Sequence, residues 1–366
     1  MPRFAMIGGF LGAGKTTLLG RLAARYVAAG KKVALVTNDQ ADGLVDTATL
    51  RAQGFDVGEV AGACFCCQFD ELVQRTDAFE FTPDVILAEP VGSCTDLVAT
   101  VVRPMQQLLG SRLDVAPFGV LFKPSHGTRI LGGGQRRSGF SPQAEYIFRK
   151  QIEEADYLMV GRADTMDAAE REQQQTLLET AAPGVPVLFV SPTEGEGVED
   201  VMGYIESPMT AGIRRLDIDY DTYAEGEAEM GWVNATAVID VEASIDLNRL
   251  ATDIINAIGS SAGRQGEIGH IKVSVAGGDT RAVQNIVATD SQIDVALNAS
   301  HTVAGPITVI VNARVATDPD ILRTIVDDAL VVRRYPGASI QSKQIRSLSP
   351  GRPEPTHRIP SSGASA

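Results

Sequence analysis

Gly9-Phe10-Leu11-Gly12-Ala13-Gly14-Lys15-Thr16 has the spacing G-x-x-x-x-G-K-[ST], set between an apolar run and the helical stretch Thr17 to Ala29. That pattern is a phosphate cradle. The glycines let the chain curl so that the amides of Gly9, Gly12, Ala13 and Gly14 face an anion, and Thr17 continues the helix whose N-terminus adds to the field. Lys15 supplies a cation to the β and γ oxygens, and Thr16 a hydroxyl to Mg²⁺. Downstream, the apolar run Val85 to Ala88 ends in Glu89-Pro90-Val91-Gly92. The Glu89 carboxylate is read as acting on Mg²⁺ or its water and the Gly92 amide as bonding the γ-phosphate, which makes the segment a nucleotide-dependent switch.

A base reader is expected after a further strand, and Tyr157 to Val160 leads into Gly161-Arg162-Ala163-Asp164. The Asp164 carboxylate suits the N1 and N2 donors of guanine, and Arg162 can lay its planar end on the base. Gly161-Arg162 stands where GTPases carry Asn-Lys. Ser191-Pro192-Thr193, after the next strand, is placed to close over the base. GTP with Mg²⁺ is the expected nucleotide.

Three of the four cysteines, Cys64, Cys66 and Cys67, lie within four positions, which ill suits a disulfide framework. In an extended backbone Cys64 and Cys66 point one way and Cys67 the other, so a turn is needed to bring all three together. Such thiolates favour a late transition metal, Zn²⁺ first, with Co²⁺, Ni²⁺ or Cu(I) as the other candidates. The compact group looks more like a transfer site than the two separated pairs of a structural zinc. Cys94, two residues beyond Gly92, is assigned a secondary part: it approaches the cluster, so that rearrangement at the γ-phosphate alters coordination.

The elements that position these residues follow from periodicity. Short apolar runs at 3–7, 33–37, 84–88, 119–122, 156–160 and 187–190 alternate with helical patterns, the signature of an α/β, doubly wound, mostly parallel sheet of the P-loop NTPase kind. The first run passes straight into the phosphate loop and is read as a buried strand rather than a leader, which gives a cytoplasmic expectation. The domain assignment is a P-loop domain over 1–210, an acidic linker over 211–230, a smaller α+β domain over 231–340 and a disordered tail over 341–366. In the second domain strands are expected at 232–241, 269–275, 282–288 and 307–315, with helices at 247–258 and 321–331. The Gly-rich stretch 123–142, with Arg129, Arg136 and Arg137, is read as a mobile solvated loop.

At 366 residues the chain exceeds one domain at about 150 residues each. Hydrophobic residues at 44% and charged residues at 21% describe a folded globular protein rather than a disordered one. A net charge of −14 opposes nucleic-acid binding. No apolar run reaches the roughly 18 residues of a spanning helix, so no membrane partner is expected.

Taken together, Gly8 to Thr17, Cys64-x-Cys66-Cys67, Glu89-x-x-Gly92 and the Asp164 loop resemble the CobW-like GTPases, relatives of the urease and hydrogenase nickel-insertion GTPases. Asn38-Asp39-Gln40-Ala41-Asp42 is similar to the family's Asn-Glu-x-Gly-Glu stretch, with Asp39 and Asp42 in the acidic places as further metal candidates. The second domain resembles the family's C-terminal domain through its α+β order and Gly269-His270-Ile271-Lys272. The resemblance implies a GTP-hydrolysing metallochaperone that delivers a metal, or a metal cofactor, to a client metalloprotein or cofactor-dependent enzyme, with a homodimer among the allowed assemblies. Ala63, Pro90-Val91 and Gly161-Arg162 depart from the family pattern, and the four histidines are too few for metal storage. Two other readings stay open: a nucleotide-regulated activator of a cofactor-dependent, for example corrinoid, enzyme that carries no metal, and a redox sensor using Cys66–Cys67 or Cys64–Cys67 disulfides.

Overall fold

The computed structural model describes residues 1–39, 44–61, 63–133, 139–214, 216–289, 291–330 and 337–359, without the side chains of 39 and 61. The chain forms two compact units. The first comprises 1–40, 50–226 and 352–366, and the second 41–49 and 227–351. The strands of the first are β1 (Arg3–Gly8), β2 (Val33–Asp39), β3 (Asp56–Ala61), β4 (Val85–Glu89), β5 (Asp114–Val115), β6 (Gly119–Phe122), β7 (Tyr157–Gly161) and β8 (Val187–Val190).

They pair in parallel in the order β3-β2-β4-β1-β6-β7-β8, with β5 beside β1. This is the doubly wound sheet that the alternating pattern predicts. The strand order runs outward in both directions from β1, so the C-terminal ends of β1, β2 and β4 lie side by side, where such sheets bind ligands. Helix Lys15–Ala28 covers this sheet because Leu18, Leu19, Leu22, Ala23 and Tyr26 recur at helical spacing and are buried. It stops at Ala29 and Gly30, whose left-handed φ of 78° reverses the chain.

The second unit holds β9 (Gly231–Ile245), β10 (Ile268–Gly277), β11 (Thr280–Ile286), β12 (Asp294–Leu297), β13 (Val303–Val315) and β14 (Ala338–Leu348). They form an antiparallel sheet in the order β12-β11-β10-β13-β9-β14. Alternate residues of β9 (Val233, Ala235, Ala237, Ile239) and β13 (Ile307, Val309, Val311, Ala313) pack against helices Leu247–Ala262 and Pro319–Ala329. Each helix starts at an aspartate, Asp246 or Asp318, that accepts from the amides of the first turn. On the other face Asn312 accepts from the Val45 amide and Lys272 pairs with Asp46, so the Gly269-His270-Ile271-Lys272 motif holds residues that follow β2 in sequence.

Several sequence expectations are corrected. The short strands β3, β5 and β12 and the long strand β14 were not expected. Residues 341–348, assigned to a disordered tail, are the body of β14 on β9, and residues 352–359 pack against the first unit. Residues 360–366 lie outside the described residues. The insertion read as a mobile loop is helical from Pro124 to Leu131, and His126 is buried in edge contact with Phe10, Phe140 and Phe148. Arg136 and Arg137 lie outside the described residues. The acidic stretch is helix Tyr220–Ala228, which buries Tyr223.

Arg314 is fully buried on β13, its guanidinium 4.1 Å from the Trp232 ring and bonded to the carbonyls of Val233 and Ala313. Arg314→Ala removes this packed, satisfied cation. It is expected to lower the unfolding free energy by about 3 kcal/mol, read by urea denaturation; a change under about 0.5 kcal/mol would show the pair to be dispensable.

Candidate nucleotide and thiol site

The phosphate loop is possible only with the residues it has. Gly9 takes φ 134°, and a Cβ there would stand 1.8 Å from the Leu121 carbonyl oxygen. Gly12 and Gly14 also have positive φ, 69° and 98°, and Gly14 directly precedes the helix. Lys15 folds back to donate to the Gly9 carbonyl at 2.9 Å, while its ammonium lies 4.0 Å from Glu89. Thr16 donates to the Glu89 carboxylate, 2.9 and 3.1 Å from its two oxygens. Ala13 is buried between them and Thr17 is exposed on the first helical turn.

These oxygens are hard donors beside a phosphate cradle, the chemistry that Mg²⁺ requires, so Thr16 and Glu89 would hold that ion. Gly92 closes against the loop: a Cβ on it would come within 2.9 Å of Leu11 Cδ2 and 3.1 Å of Lys15 Nζ. Gly161 brings the end of β7 to the loop, its Cβ position 3.4 Å from the Ala13 carbonyl oxygen. Arg162, at φ 58°, and Asp164 follow in the adjoining turn, both exposed. Two arginines that sequence reasoning passed over build the far wall. Arg21 holds the carbonyls of Pro192 and Thr193 at 2.7 and 2.6 Å, and Arg171 ties the Ala163 carbonyl to Glu196.

The required turn is present in the thiol segment. The Cys64 carbonyl accepts from the amides of Cys67 and Gln68, both at 3.0 Å, and helix Phe69–Asp77 follows. Sulfur separations are 2.9 Å for Cys64–Cys66, 3.1 Å for Cys64–Cys67 and 3.7 Å for Cys66–Cys67. All three sulfurs thus fall in a space that a single soft ion fills, with Cys64 and Cys66 buried and Cys67 half-buried. Cys94 is buried beside Cys64 and Cys66 and perturbs both thiols. The neighbouring thiols of Cys66, Cys67 and Cys94 hold the Cys64 thiol well below the usual range, and interaction with Cys64 pushes Cys67 up to about 11.

Asn38 is the organiser that sequence reasoning did not single out. Its Nδ2 donates to the carbonyls of Val60 and Ala63, at 2.9 and 2.8 Å, and its Oδ1 accepts from the Phe65 amide at 2.8 Å. The visible signal was an asparagine at the end of an apolar strand. Asp39 ends β2 with its side chain not described, and Asp42 lies outside the described residues. The switch segment is pinned from beneath by Gln151, which donates to the carbonyls of Gly92 and Cys94 at 3.0 and 2.8 Å. Fully buried Glu154 accepts from the Thr95 hydroxyl and the Val98 amide, and desolvation first, then the Asp96 charge, raises it to about 8.

The sheet order and phosphate loop define a P-loop nucleotide-binding protein. Residues 3–189 match the family model described as CobW/HypB/UreG, nucleotide-binding domain, and the chain belongs to that family. No curated protein matches the chain. Among solved structures it is similar to the hydrogenase maturation factor HypB from Archaeoglobus fulgidus (16% identity, 56% of this chain, 88% of that one, TM-score 0.40). It is likewise similar to HypB from Helicobacter pylori in complex with nickel (19% identity, 57% of this chain, 91% of that one, TM-score 0.40). Zn(II)-bound YjiA GTPase from E. coli aligns over 90% of this chain and 100% of its own length at 15% identity and a TM-score of 0.38. Among the described residues no helix is long and apolar enough to cross a membrane.

Two consequences are measurable. Gly92→Ala places a methyl against Lys15 and Leu11, and is expected to weaken GTP binding about tenfold or more with the diphosphate less affected. Equal loss for both nucleotides would detach Gly92 from the γ-phosphate. For Glu154 the folded pKa of about 8 exceeds the unfolded 4.5, so its contribution is complete below the unfolded value and declines as pH rises through that window. Between pH 5 and 8 the wild type should therefore lose roughly 1–3 kcal/mol relative to Glu154→Gln, and parallel melting curves would contradict this.

Proposed function

We propose that the protein hydrolyses GTP and carries a transition metal on Cys64, Cys66 and Cys67, releasing it to a client protein under nucleotide control. One observation carries the reading: the buried Cys94 thiol, two residues past the γ-phosphate sensor Gly92, lies beside Cys64 and Cys66 and perturbs both thiols. A shift of the 89–96 segment on phosphate loss therefore alters the surroundings of the thiol group directly. The binding of two ligands is linked whenever each prefers the same conformation of a shared segment.

Lys15 and the loop amides hold the phosphates, Thr16 and Glu89 the Mg²⁺, and Gly92 reports the γ-phosphate. When bound, Mg²⁺ would supply charge neutralisation on the β- and γ-phosphates. Asp164 selects guanine, and Arg162 takes the place of an amide contact by stacking. Zn²⁺ is the favoured cargo for three clustered thiolates, with Co²⁺ or Ni²⁺ as rivals. The client is a metalloprotein or cofactor-dependent enzyme, and the protein acts in the cytoplasm.

The test titrates Zn²⁺, Co²⁺ and Ni²⁺ into the apo protein with a non-hydrolysable GTP analogue, with GDP and with no nucleotide. At least about tenfold difference in metal affinity between the two nucleotides is expected, and the same factor must appear in nucleotide affinity when metal is varied. A Cys64/Cys66/Cys67→Ser variant should lose the binding. Metal affinity indifferent to nucleotide overturns the coupling. No metal binding at all, with GTPase activity intact, favours the activator that carries none.

A further inference from the structure

The segment Arg352–Ile359, which the sequence assigned to a disordered tail, lies across the thiol turn of its own unit and is bonded both to that turn and to the 96–99 segment. Thr356 donates twice, from its amide to the Cys66 carbonyl and from its hydroxyl to the Cys67 carbonyl, both at 2.9 Å. The His357 ring meets Phe69 edge-on at 5.1 Å, and the Ile359 amide donates to the Ala99 carbonyl at 2.8 Å. Between them Arg358 reaches Asp96, Nε to Oδ2 at 2.7 Å, and lies over the Tyr220 ring.

Asp96 is wholly buried, and its Oδ2 also accepts from the Tyr220 hydroxyl at 2.8 Å. Among the described residues its Oδ1 has no hydrogen-bond partner, and the Arg358 cation compensates the carboxylate. The contacts have the form of peptide recognition: backbone amides fix an extended segment, and one side chain enters a pocket built for its charge. The pocket belongs to the switch, since Asp96 is two residues past Cys94 and four past Gly92.

We infer that residues 352–359 are a tethered gate, an arginine-bearing peptide seated in cis on a groove formed by the Cys64–Cys67 turn, Asp96, Ala99 and Tyr220, which must lift before the thiols can exchange a metal. This rests on the proposed metal carriage for its purpose, though not for its geometry. Tethering keeps the effective concentration of the segment high, so the closed form persists until the groove itself changes or a competing peptide takes it. Asp96 provides the first route: movement of the 89–96 segment carries the arginine pocket with it.

The experiment measures how fast a chromogenic aromatic disulfide reacts with the cysteines of the reduced, full-length apo protein, without metal or nucleotide. Arg358→Ala and Thr356→Pro each should speed the reaction of the cluster thiols by about tenfold, the factor that one or two lost hydrogen bonds yields. Arg358→Lys should recover most of the wild-type protection. If Arg358→Ala leaves Asp96 uncompensated and the unit fails to fold, Thr356→Pro decides, because it removes one amide donor and one hydroxyl and no charge. Rates within about twofold of wild type in a folded Thr356→Pro variant overturn the gate. The readout needs no metal: faster labelling without metal binding retains the gate and removes the carrier, whereas unchanged labelling with metal binding intact removes only the gate.

Discussion

The parallel ladder linking β3, β2, β4 and β1 sets every other distance in the site. Its register places Thr37 opposite both Glu89 and Glu59, and Met6 opposite Ala88. Three chain segments therefore leave the sheet at one edge: the phosphate loop after Gly8, the switch after Glu89 and the thiol turn after Ala61. With adjacent strands about 4.8 Å apart, chemistry at one exit is within side-chain reach of the next. A one-residue slip in β2 would turn Asn38 to the opposite face and leave the carbonyls of Val60 and Ala63 without their donor.

Rigidity is distributed unevenly around that edge. The phosphate loop is fixed by positive-φ glycines and the Gly9–Leu121 approach, which tolerate no side chain. The thiol turn is fixed by one amide side chain, Asn38, making three hydrogen bonds. The switch segment is hydrogen-bonded to the side chains of Gln151 and Glu154. Hydrogen bonds contribute roughly 1 kcal/mol each and can be exchanged one for another, whereas a methyl packed on a carbonyl cannot. The segment held by exchangeable bonds is the one that can have two positions, and it is the one between the phosphate and the sulfurs.

The phosphate motif was legible because its chemistry requires a contiguous spacing, and β1, β4, β6, β7 and β8 because buried parallel strands are nearly continuous apolar runs. What was hidden came from positions whose meaning is nonlocal. β3 reads Asp-Val-Gly-Glu-Val-Ala, too polar for a central strand, and it survives at the sheet edge, where among the described residues β2 is its one neighbour. Without β3 the sequence could ask for a turn at the cysteines but could not say which strand ends it would meet. β14 alternates polar and apolar residues because one pairing with β9 at the sheet edge demands no more. Asn38, Gln151, Arg21 and Arg171 carry no motif, since what each grips is decided by the fold.

The tail shows why low complexity misled. Pro350, Pro353 and Pro355 remove amide donors, which reads as a chain unable to pair. The amides that remain at Thr356 and Ile359 are used, meeting the carbonyls of Cys66 and Ala99. Proline also restricts the free segment to extended conformations, so less entropy is lost when it seats than a glycine-rich tail would lose. A segment that pairs through few donors, is pre-extended and carries one arginine paired with the buried Asp96 is suited to bind and leave as a unit. Its composition then reflects reversible docking, and the partner that makes docking possible, Asp96, lies more than 250 positions earlier in the chain, at a separation of 262.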